Sequence, residues 1–362
     1  TTLVIEDGVI QYEVDPSKGA VVGGNYVKAS TPSAGVVSQS KSTVGNTAVT
    51  IKGGTFGGSV FGGSFAENYA MSDTPDMDLQ ITTGNASLTL NGGTFNGHVV
   101  GASGVKGQGT SSKTESASLT INADKAVTLS DASILIGGDY LANLGTSEID
   151  GDVSITVTGD GAITLGKGIV GGSYVDANKM GNQYVSGGEY TASTINGAIN
   201  IYVDAANVTV KDEIIGGTYL RQTNQDSTGD GKVTATVGST NLILKAGTYE
   251  ANVFAGGKSN DNTGALTSTV EGDTALTITG GEFKAAVFGG GSSKAGQADA
   301  SLKRTVIADV KGMARVNVSG GTLNGLVGGG LSYIYFGEHA NNTVTTDVGN
   351  VVVNVTGGTL GG

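Results

Sequence analysis

Residues 53–63 read Gly-Gly-Thr-Phe-Gly-Gly-Ser-Val-Phe-Gly-Gly, and this stretch contains two recurring elements, of which the second recurs along the whole chain and the first is missing from the repeats that end at Gly137, Gly171 and Gly216. The first element is a glycine pair followed by threonine and an aromatic residue. The second is a pair of apolar residues followed by two glycines. The glycine that opens the second glycine pair lies at positions 23, 62, 101, 137, 171, 216, 256, 289 and 328, so the repeat is 33–45 residues long. A period of this size predicts a solenoid or a related stacked array.

The residues around these glycines indicate the shape of one repeat. Apolar and polar residues alternate before the first element, as in 49–51 and 276–278, which predicts a half-buried strand. A second strand leads into the apolar-Gly-Gly phrase, and a third, more polar strand follows a variable segment, as at 232–238. Seven glycines are predicted to be structural corners: Gly23, Gly62, Gly137, Gly171, Gly216, Gly289 and Gly328. The chain is therefore predicted to be an all-β parallel β-helix of about nine coils, each with three short strands, in a rod about 40 Å long.

Length and composition are consistent with one solenoid domain spanning residues 1–362. The chain has 63 glycines, three prolines, no cysteine and no obvious linker. A solenoid grows along one axis, so its length does not require division into domains. The lack of cysteine favours either a cytosolic protein or an exported bacterial protein, and the glycine-, threonine- and asparagine-rich repeats favour the second.

Charge and hydropathy exclude two classes of partner. The net charge is −12, and the only arginines, Arg221, Arg304 and Arg315, are scattered, so nucleic acid is not an expected partner. No apolar run is long enough to insert into a bilayer, so membrane insertion by this chain is not expected either.

Variable segments are predicted to be loops between the second and third strands, all on one side of the rod. A rigid scaffold commonly carries binding residues on such loops. These loops are expected at about 65–78, 103–113, 141–147, 175–190, 220–231, 258–265, 292–303 and 331–342. The last one supplies a candidate binding loop with Tyr333, Tyr335, Phe336 and His339, whose aromatic residues suit a sugar or a partner protein. The alternative is that these side chains fold back over the last coils.

One loop resembles the first half of a calcium-binding loop. Asp226, Thr228 and Asp230 supply oxygen atoms at positions one, three and five, and a glycine follows at position six. Val237 stands where the twelfth position requires glutamate, so an acidic turn without an ion is the alternative. No other cofactor is expected.

Aromatic residues follow the repeat and allow two interpretations. In-register stacking would place neighbouring rings in contact, which either stiffens the rod or forms a track for stacking glycans. They occupy two positions of the repeat: Tyr26, Phe65, Tyr140, Tyr174 and Tyr219 in one, and Phe56, Phe95, Tyr249 and Phe283 in the other. A third possibility, ice binding by an outward row of threonines, is weakened because Tyr202 and Ile243 interrupt that row.

The sequence gives little support to enzymatic activity. His98 and His339 are the only histidines, and no nucleophile elbow, phosphate-binding loop or paired metal-ligand spacing is present. A polysaccharide lyase or hydrolase is kept as an alternative, because such enzymes can be built on parallel β-helices from clustered surface carboxylates.

The repeats resemble those of bacterial surface proteins with β-helical stalks, notably autotransporter passenger domains and adhesin-like repeat proteins. This resemblance implies a right-handed β-helix that is secreted to the bacterial cell surface and acts in adhesion or as a structural appendage. Its implied partners are surface glycans or proteins of the host or the bacterium. Neither 1–10 nor 350–362 resembles a polar cap, which suggests a segment of a longer chain or a subunit that stacks end to end into a filament.

Overall fold

The computed structural model describes residues 1–10, 20–29, 38–68, 77–177, 189–222, 232–261, 265–295, 304–334 and 342–361. Within these ranges every regular element is a β-strand, and the strands form three sheets, here named A, B and C. Strands that are neighbours in a sheet run parallel and come from successive coils. This arrangement confirms the prediction of an all-β parallel β-helix.

Sheet A has 14 strands among the described residues and contains the longest ones. Its strands are Thr2–Ile5, Ser38–Val44, Thr47–Ile51, Met77–Leu90, Thr110–Ala123, Thr146–Ile149, Val153–Gly159, Glu189–Asp204, Lys232–Leu244, Ala265–Val270, Thr274–Ile278, Arg304–Val318, Asn342–Thr345 and Val348–Val355.

Sheet B is made mostly of two- and three-residue strands. Its described strands are Val9–Ile10, Val21–Val22, Thr55–Phe56, Val60–Phe61, Gly93–Phe95, Val99–Val100, Val127–Leu129, Leu135–Ile136, Ile163–Leu165, Ile169–Val170, Val208–Val210, Ile214–Ile215, Thr248–Tyr249, Val253–Phe254, Glu282–Phe288, Thr322–Val327 and Thr359–Leu360.

Sheet C contains one short strand from each coil. Its nine described strands are Tyr26–Ala29, Phe65–Asn68, Gly104–Lys106, Tyr140–Ala142, Tyr174–Asp176, Tyr219–Gln222, Lys258–Asp261, Ser292–Ala295 and Leu331–Ile334. Their number agrees with the nine coils that the repeat predicts.

The stacking is in register, so each residue lies next to its equivalents in the coils before and after it. Leu88, for example, pairs with Val49 on one side and with Leu119 on the other. Leu88 is fully buried, while its neighbour Thr89 belongs to the outward row. Because strand residues alternate between faces, the in-register stack gives one continuous apolar interior.

The predicted loops and third strands have different boundaries in the structure. The loop expected at 65–78 begins with Phe65–Asn68, a strand of sheet C. The third strand expected at 232–238 continues without a break through Lys232–Leu244 and includes the first strand of the next coil. Gly238 suggested a strand end, yet a Cβ there would lie 2.6 Å from the backbone oxygen of Asn196. Gly238 is therefore needed because successive coils approach each other closely at this position, and not because the chain turns there.

Glycines occupy the two corners of sheet B for different physical reasons. In the first corner, the second glycine has a positive φ, as at Gly54 (108°) and Gly93 (124°), a conformation that a side chain disfavours. In the second corner φ is not positive, but a Cβ on Gly171 would lie 2.3 Å from the oxygen of Gly216. The second corner thus excludes side chains because successive backbones touch. Register also places Ala255, and not Gly256, at the first-glycine position of its coil.

The interior contains two apolar clusters. The larger one lies between sheets A and B and includes Leu88 and Val60. The smaller one lies between sheets A and C and includes Ile81 and Leu141. Stacked rings strengthen the larger cluster, because Phe56 and Phe95 have ring centroids 5.1 Å apart in nearly parallel planes.

A row of buried polar residues lies inside the corner between sheets B and C. The row consists of Ser64, Ser103, Asp139, Ser173 and Thr218. The backbone N–H of each residue donates to the side-chain oxygen of the next, as Ser103 does to Asp139 Oδ1 at 2.7 Å. Asp139 is completely buried, and Ser112 and Ser147 are further polar neighbours of its carboxyl group. Burial raises the pKa of Asp139 to about 7, although the Ser103 N–H offsets part of this rise.

The last described strand of sheet A differs from the strands before it. Val351, Val353 and Val355 are 43–46% exposed, whereas their partners Ala314, Val316 and Val318 are at most 1% exposed. The residues that face the interior elsewhere therefore form an exposed apolar edge at this end of the described stack.

Candidate functional site

The short strands of sheet B bury side chains on both of their faces. Val60 points into the larger interior cluster, and the next residue, Phe61, belongs to a separate cluster on the outer face. Both side chains are at most 2% exposed. The outer cluster contains the apolar residues that directly precede the second corner in successive coils: Phe61, Val100, Ile136, Val170, Ile215, Phe254 and Phe288. This row forms the floor of an outer groove between sheets B and C.

Sheet C forms one wall of this groove with a row of aromatic residues. Tyr140 and Tyr174 stack with ring centroids 6.0 Å apart and planes that differ by 2°. Tyr26 and Phe65 stack in the same way at 5.8 Å, while Tyr219 meets Tyr174 edge to face. The predicted contact between neighbouring rings is confirmed. Because most ring faces are covered by a neighbour, the arrangement favours the stiffening interpretation over a continuous glycan-stacking track.

The aromatic row is interrupted at Gly104, the residue that pairs with Phe65 and Tyr140 in the adjacent coils. A Cβ on Gly104 would lie 2.5 Å from Phe61 Cε1 and 2.6 Å from Phe65 Cδ2. The rings of the preceding coil therefore occupy the space that a side chain at position 104 would need.

The opposite wall comes from the corner between the two short strands of sheet B. His98 in this wall has its ring centroid 5.1 Å from that of Tyr140. Further along the rod, Lys258 of sheet C forms an ion pair across the groove with Glu213, and their side chains are 9% and 24% exposed. These contacts close the groove over parts of its length.

The groove remains open in a cavity of about 530 Å³ near the interruption of the aromatic row. Four rings contribute to its lining, and the backbone at 57–58 contributes glycines without side chains. The main lining residues are Gly57, Gly58, Phe61, Phe65, His98 and Tyr140. A smaller cavity of about 200 Å³ lies beside Lys167, Glu213 and Lys258. The larger cavity has the size and apolar character typical of small-ligand sites.

His98 is uncharged in this environment. Burial, together with the positive charge of Lys167, lowers the pKa of His98 to about 4. Its Nδ1 accepts a hydrogen bond from the Ile134 N–H at 3.2 Å, which leaves the proton of the neutral ring on Nε2. Burial also raises the pKa of Tyr174 to about 12, although Arg221, which donates to the Tyr174 hydroxyl at 3.1 Å, opposes the rise. These rings therefore stay neutral at physiological pH.

A second outward row on sheet C brings charges close to the larger cavity. Lys28, Glu67 and Lys106 are equivalent residues of three successive coils. The Glu67 side chain is 1% exposed, pairs with Lys28 Nζ at 3.3 Å and accepts a hydrogen bond from the Tyr26 hydroxyl. Glu67 and Lys106 both line the cavity. Its rim therefore combines both signs of charge with a mainly apolar interior.

The residues of the predicted binding loop are only partly described. Tyr333 is 46% exposed and has Lys294 Nζ 5.8 Å from its ring centroid. Tyr335, Phe336 and His339 lie outside the described residues, so their folding over the last coils stays untested.

The calcium candidates Asp226, Thr228 and Asp230 also lie outside the described residues. In the part of the chain that the structure describes, no three histidine, aspartate or glutamate side chains come together in a way that could hold a metal ion. The same part contains no helix suited to crossing a bilayer.

Sequence reasoning identified the aromatic row but missed the groove and the role of His98. The available signal was the apolar pair before each second corner. Alternation sends only one member of such a pair inward, so the invariably apolar second member, as in Phe61 and Val100, indicates a second buried face.

Comparisons with known proteins found no match: no family model fits the chain, and neither the curated proteins nor the solved structures include a similar one.

Proposed function

We propose that the chain is a non-enzymatic rod of the bacterial cell surface, with a structural role and an adhesive one. The observation that carries this proposal is a rigid, in-register stack of nine coils with a concave apolar cavity on its flank. A stack of this kind holds a recognition site at a fixed position without any need for moving parts.

The distribution of surface charge supports a scaffold role. Many exposed carboxylates form ion pairs with lysine or arginine of another coil, which is a structural use and not a catalytic one. These pairs join Lys52 to Glu6, Lys113 to Glu148 and Asp150, Lys211 to Asp131, Lys284 to Glu250, Lys311 to Glu271, and Arg315 to Asp273. His98, the histidine in the cavity, uses Nδ1 to accept a backbone hydrogen bond and has no carboxylate partner among its contacts described above.

Secretion is proposed from the composition and the repeats of the chain. A chain with 63 glycines, no cysteine and surface-protein-like repeats suits export by a bacterium. We propose a protein or glycan of a cell surface as the partner of the flank.

The test is saturable binding of the purified, labelled chain to bacterial and host cells, with a heat-unfolded sample as the control. The proposal predicts saturable binding by the folded chain alone. Parallel incubations with pectin- and alginate-like polymers test the enzyme alternative. Product that accumulates in proportion to the amount of protein would overturn the non-enzymatic assignment.

A second candidate is end-to-end assembly into a filament, a contact that would involve the apolar side chains of Val351, Val353 and Val355. Another copy could cover these side chains and extend sheet A with its own strand Thr2–Ile5. The substitution Val353→Lys would place a charge in that contact and is expected to abolish filaments in negative-stain images. Filaments that persist in the variant, or a wild-type chain that sediments as a monomer at high concentration, would contradict this candidate.

A further inference from the structure

We propose that the larger cavity of the groove is a binding site for an aryl ring, such as a phenylalanine, tyrosine or tryptophan side chain presented by a partner protein. This proposal names the group that the adhesive rod would bind. It rests on the proposed function only in assigning the ring to a partner protein. The cavity measures about 530 Å³, and it lies on the outer face of the rod, where a protruding side chain can reach it.

The rings that line the cavity explain why an aryl ring fits at this place. Phe61 and Phe65 contribute from one coil, and Tyr140 contributes from sheet C two coils further on. Phe61 stacks on Phe65 with ring centroids 4.9 Å apart, and His98 lies beside Tyr140. An inserted ring would therefore have aromatic neighbours on both sides.

The chemistry of the lining favours an aryl ring over a sugar. A pyranose has several hydroxyl groups, and each one that is buried without a partner is unfavourable. The interior of the cavity offers mainly Phe61, Phe65, Tyr140 and Ala132, while Ser59 already accepts a hydrogen bond from the His98 N–H. An aryl ring itself needs no hydrogen-bond partners in the lining.

The charges at the rim disfavour a cationic ligand. Lys106 lines the cavity, and the Glu67 carboxylate there is already paired with Lys28. A quaternary ammonium group would be repelled by the lysines and would find the carboxylate engaged. A neutral aryl ring avoids this repulsion and can lie beside an ammonium group.

The test uses N-acetyl-L-tryptophanamide as a fluorescent probe, because the chain contains no tryptophan. Transfer of the indole ring from water into the cavity is expected to shift its emission to shorter wavelength in a saturable manner. Ala132 lines the cavity and is exposed, so the substitution Ala132→Phe fills the site without disturbing the interior. The variant is expected to weaken probe binding by about tenfold or more.

The control is Ala126→Phe, at an exposed position of the same coil that does not line the cavity. It should bind the probe as the wild type does, and both variants should keep the wild-type melting temperature. Absence of a saturable shift, or equal binding by Ala132→Phe, would overturn the site. Tighter binding of methyl glucoside or of tetramethylammonium, measured by competition, would overturn the ligand class. None of these results would by itself remove saturable binding to cells, so the two proposals can fail separately.

Discussion

The interior of the rod and its outer groove are built by opposite faces of the same two-residue strands. Val60 faces the interior and Phe61 the groove, and both are buried. In the interior each layer is closed by side chains from sheet A on the opposite side. The floor of the groove lies outside the coil, and the cavity there is lined by Phe61, Phe65, His98 and Tyr140. Similar burial therefore has different consequences, because one face is enclosed by the coil and the other is only covered by neighbouring rings.

The largest expected effect is a difference between ring deletions on the two faces. Phe95 is completely buried in the interior and stacks on Phe56. Phe95→Ala should lower the free energy of unfolding by about 4 kcal/mol, because the enclosed cavity cannot refill with water. Phe61→Ala should cost only about half as much, because the space joins an existing solvent-accessible cavity. Urea unfolding of both variants measures the difference, and equal losses would contradict it.

Next in size is the effect of the buried carboxyl of Asp139. Its folded-state pKa of about 7 lies above that of the unfolded chain, so the folded form retains a proton that the unfolded form releases. The contribution of Asp139 to stability is therefore greatest below about pH 4 and is lost as the pH rises through about 7, by an amount on the order of 4 kcal/mol.

The variant Asp139→Asn should remove this dependence and be the more stable protein at pH 8. Its amide oxygen can still accept from the Ser103 N–H, and its NH₂ group can donate to the neighbouring Ser112 Oγ. Unfolding curves at several pH values test this, and a variant with the wild-type pH profile would refute the role of Asp139.

His98, in the groove, should show the opposite dependence on pH. Its pKa of about 4 lies below that of an unfolded histidine, so its contribution to stability is lost as the pH drops from about 6.5 to about 4, by roughly 3 kcal/mol. His98→Phe should lack this loss. The chain has two histidines, so their NMR signals can be followed separately, and a signal that titrates only below pH 5 identifies His98. Two signals with ordinary pKa values would contradict the burial of this ring.

The smallest effect is expected on the outer surface of sheet A, outside both apolar faces. Lys311 Nζ lies 2.7 Å from Glu271 Oε2, but the two side chains are 59% and 46% exposed. Lys311→Ala should change the free energy of unfolding by less than about 1 kcal/mol. High salt should abolish even this change, and a larger effect that is independent of salt would show that the pair has another role.

The repeat predicted the fold because stacking imposes the same demand on every coil. Alternation at Val49-Thr50-Ile51 and the glycine pairs at the corners specify which face is buried and where the chain turns. The boundaries of the third strand were wrong because a glycine that permits close approach, such as Gly238, looks the same in a sequence as one that makes a turn. The cavity could not be predicted, since the residues that line it are far apart in the sequence, from Ala20 to Tyr140.

The hydrogen bonds that join the coils run along the axis of the rod, because every sheet pairs each coil with the next. A pulling force along this axis therefore detaches the coils one by one, beginning at an end, and does not shear many strands at once. The 39 residues from Gly62 to Gly101 would extend to about 130 Å at roughly 3.4 Å per residue. A single detached coil is thus about three times as long as the folded rod. The end-to-end length of the chain under force would therefore increase in discrete steps, one for each coil.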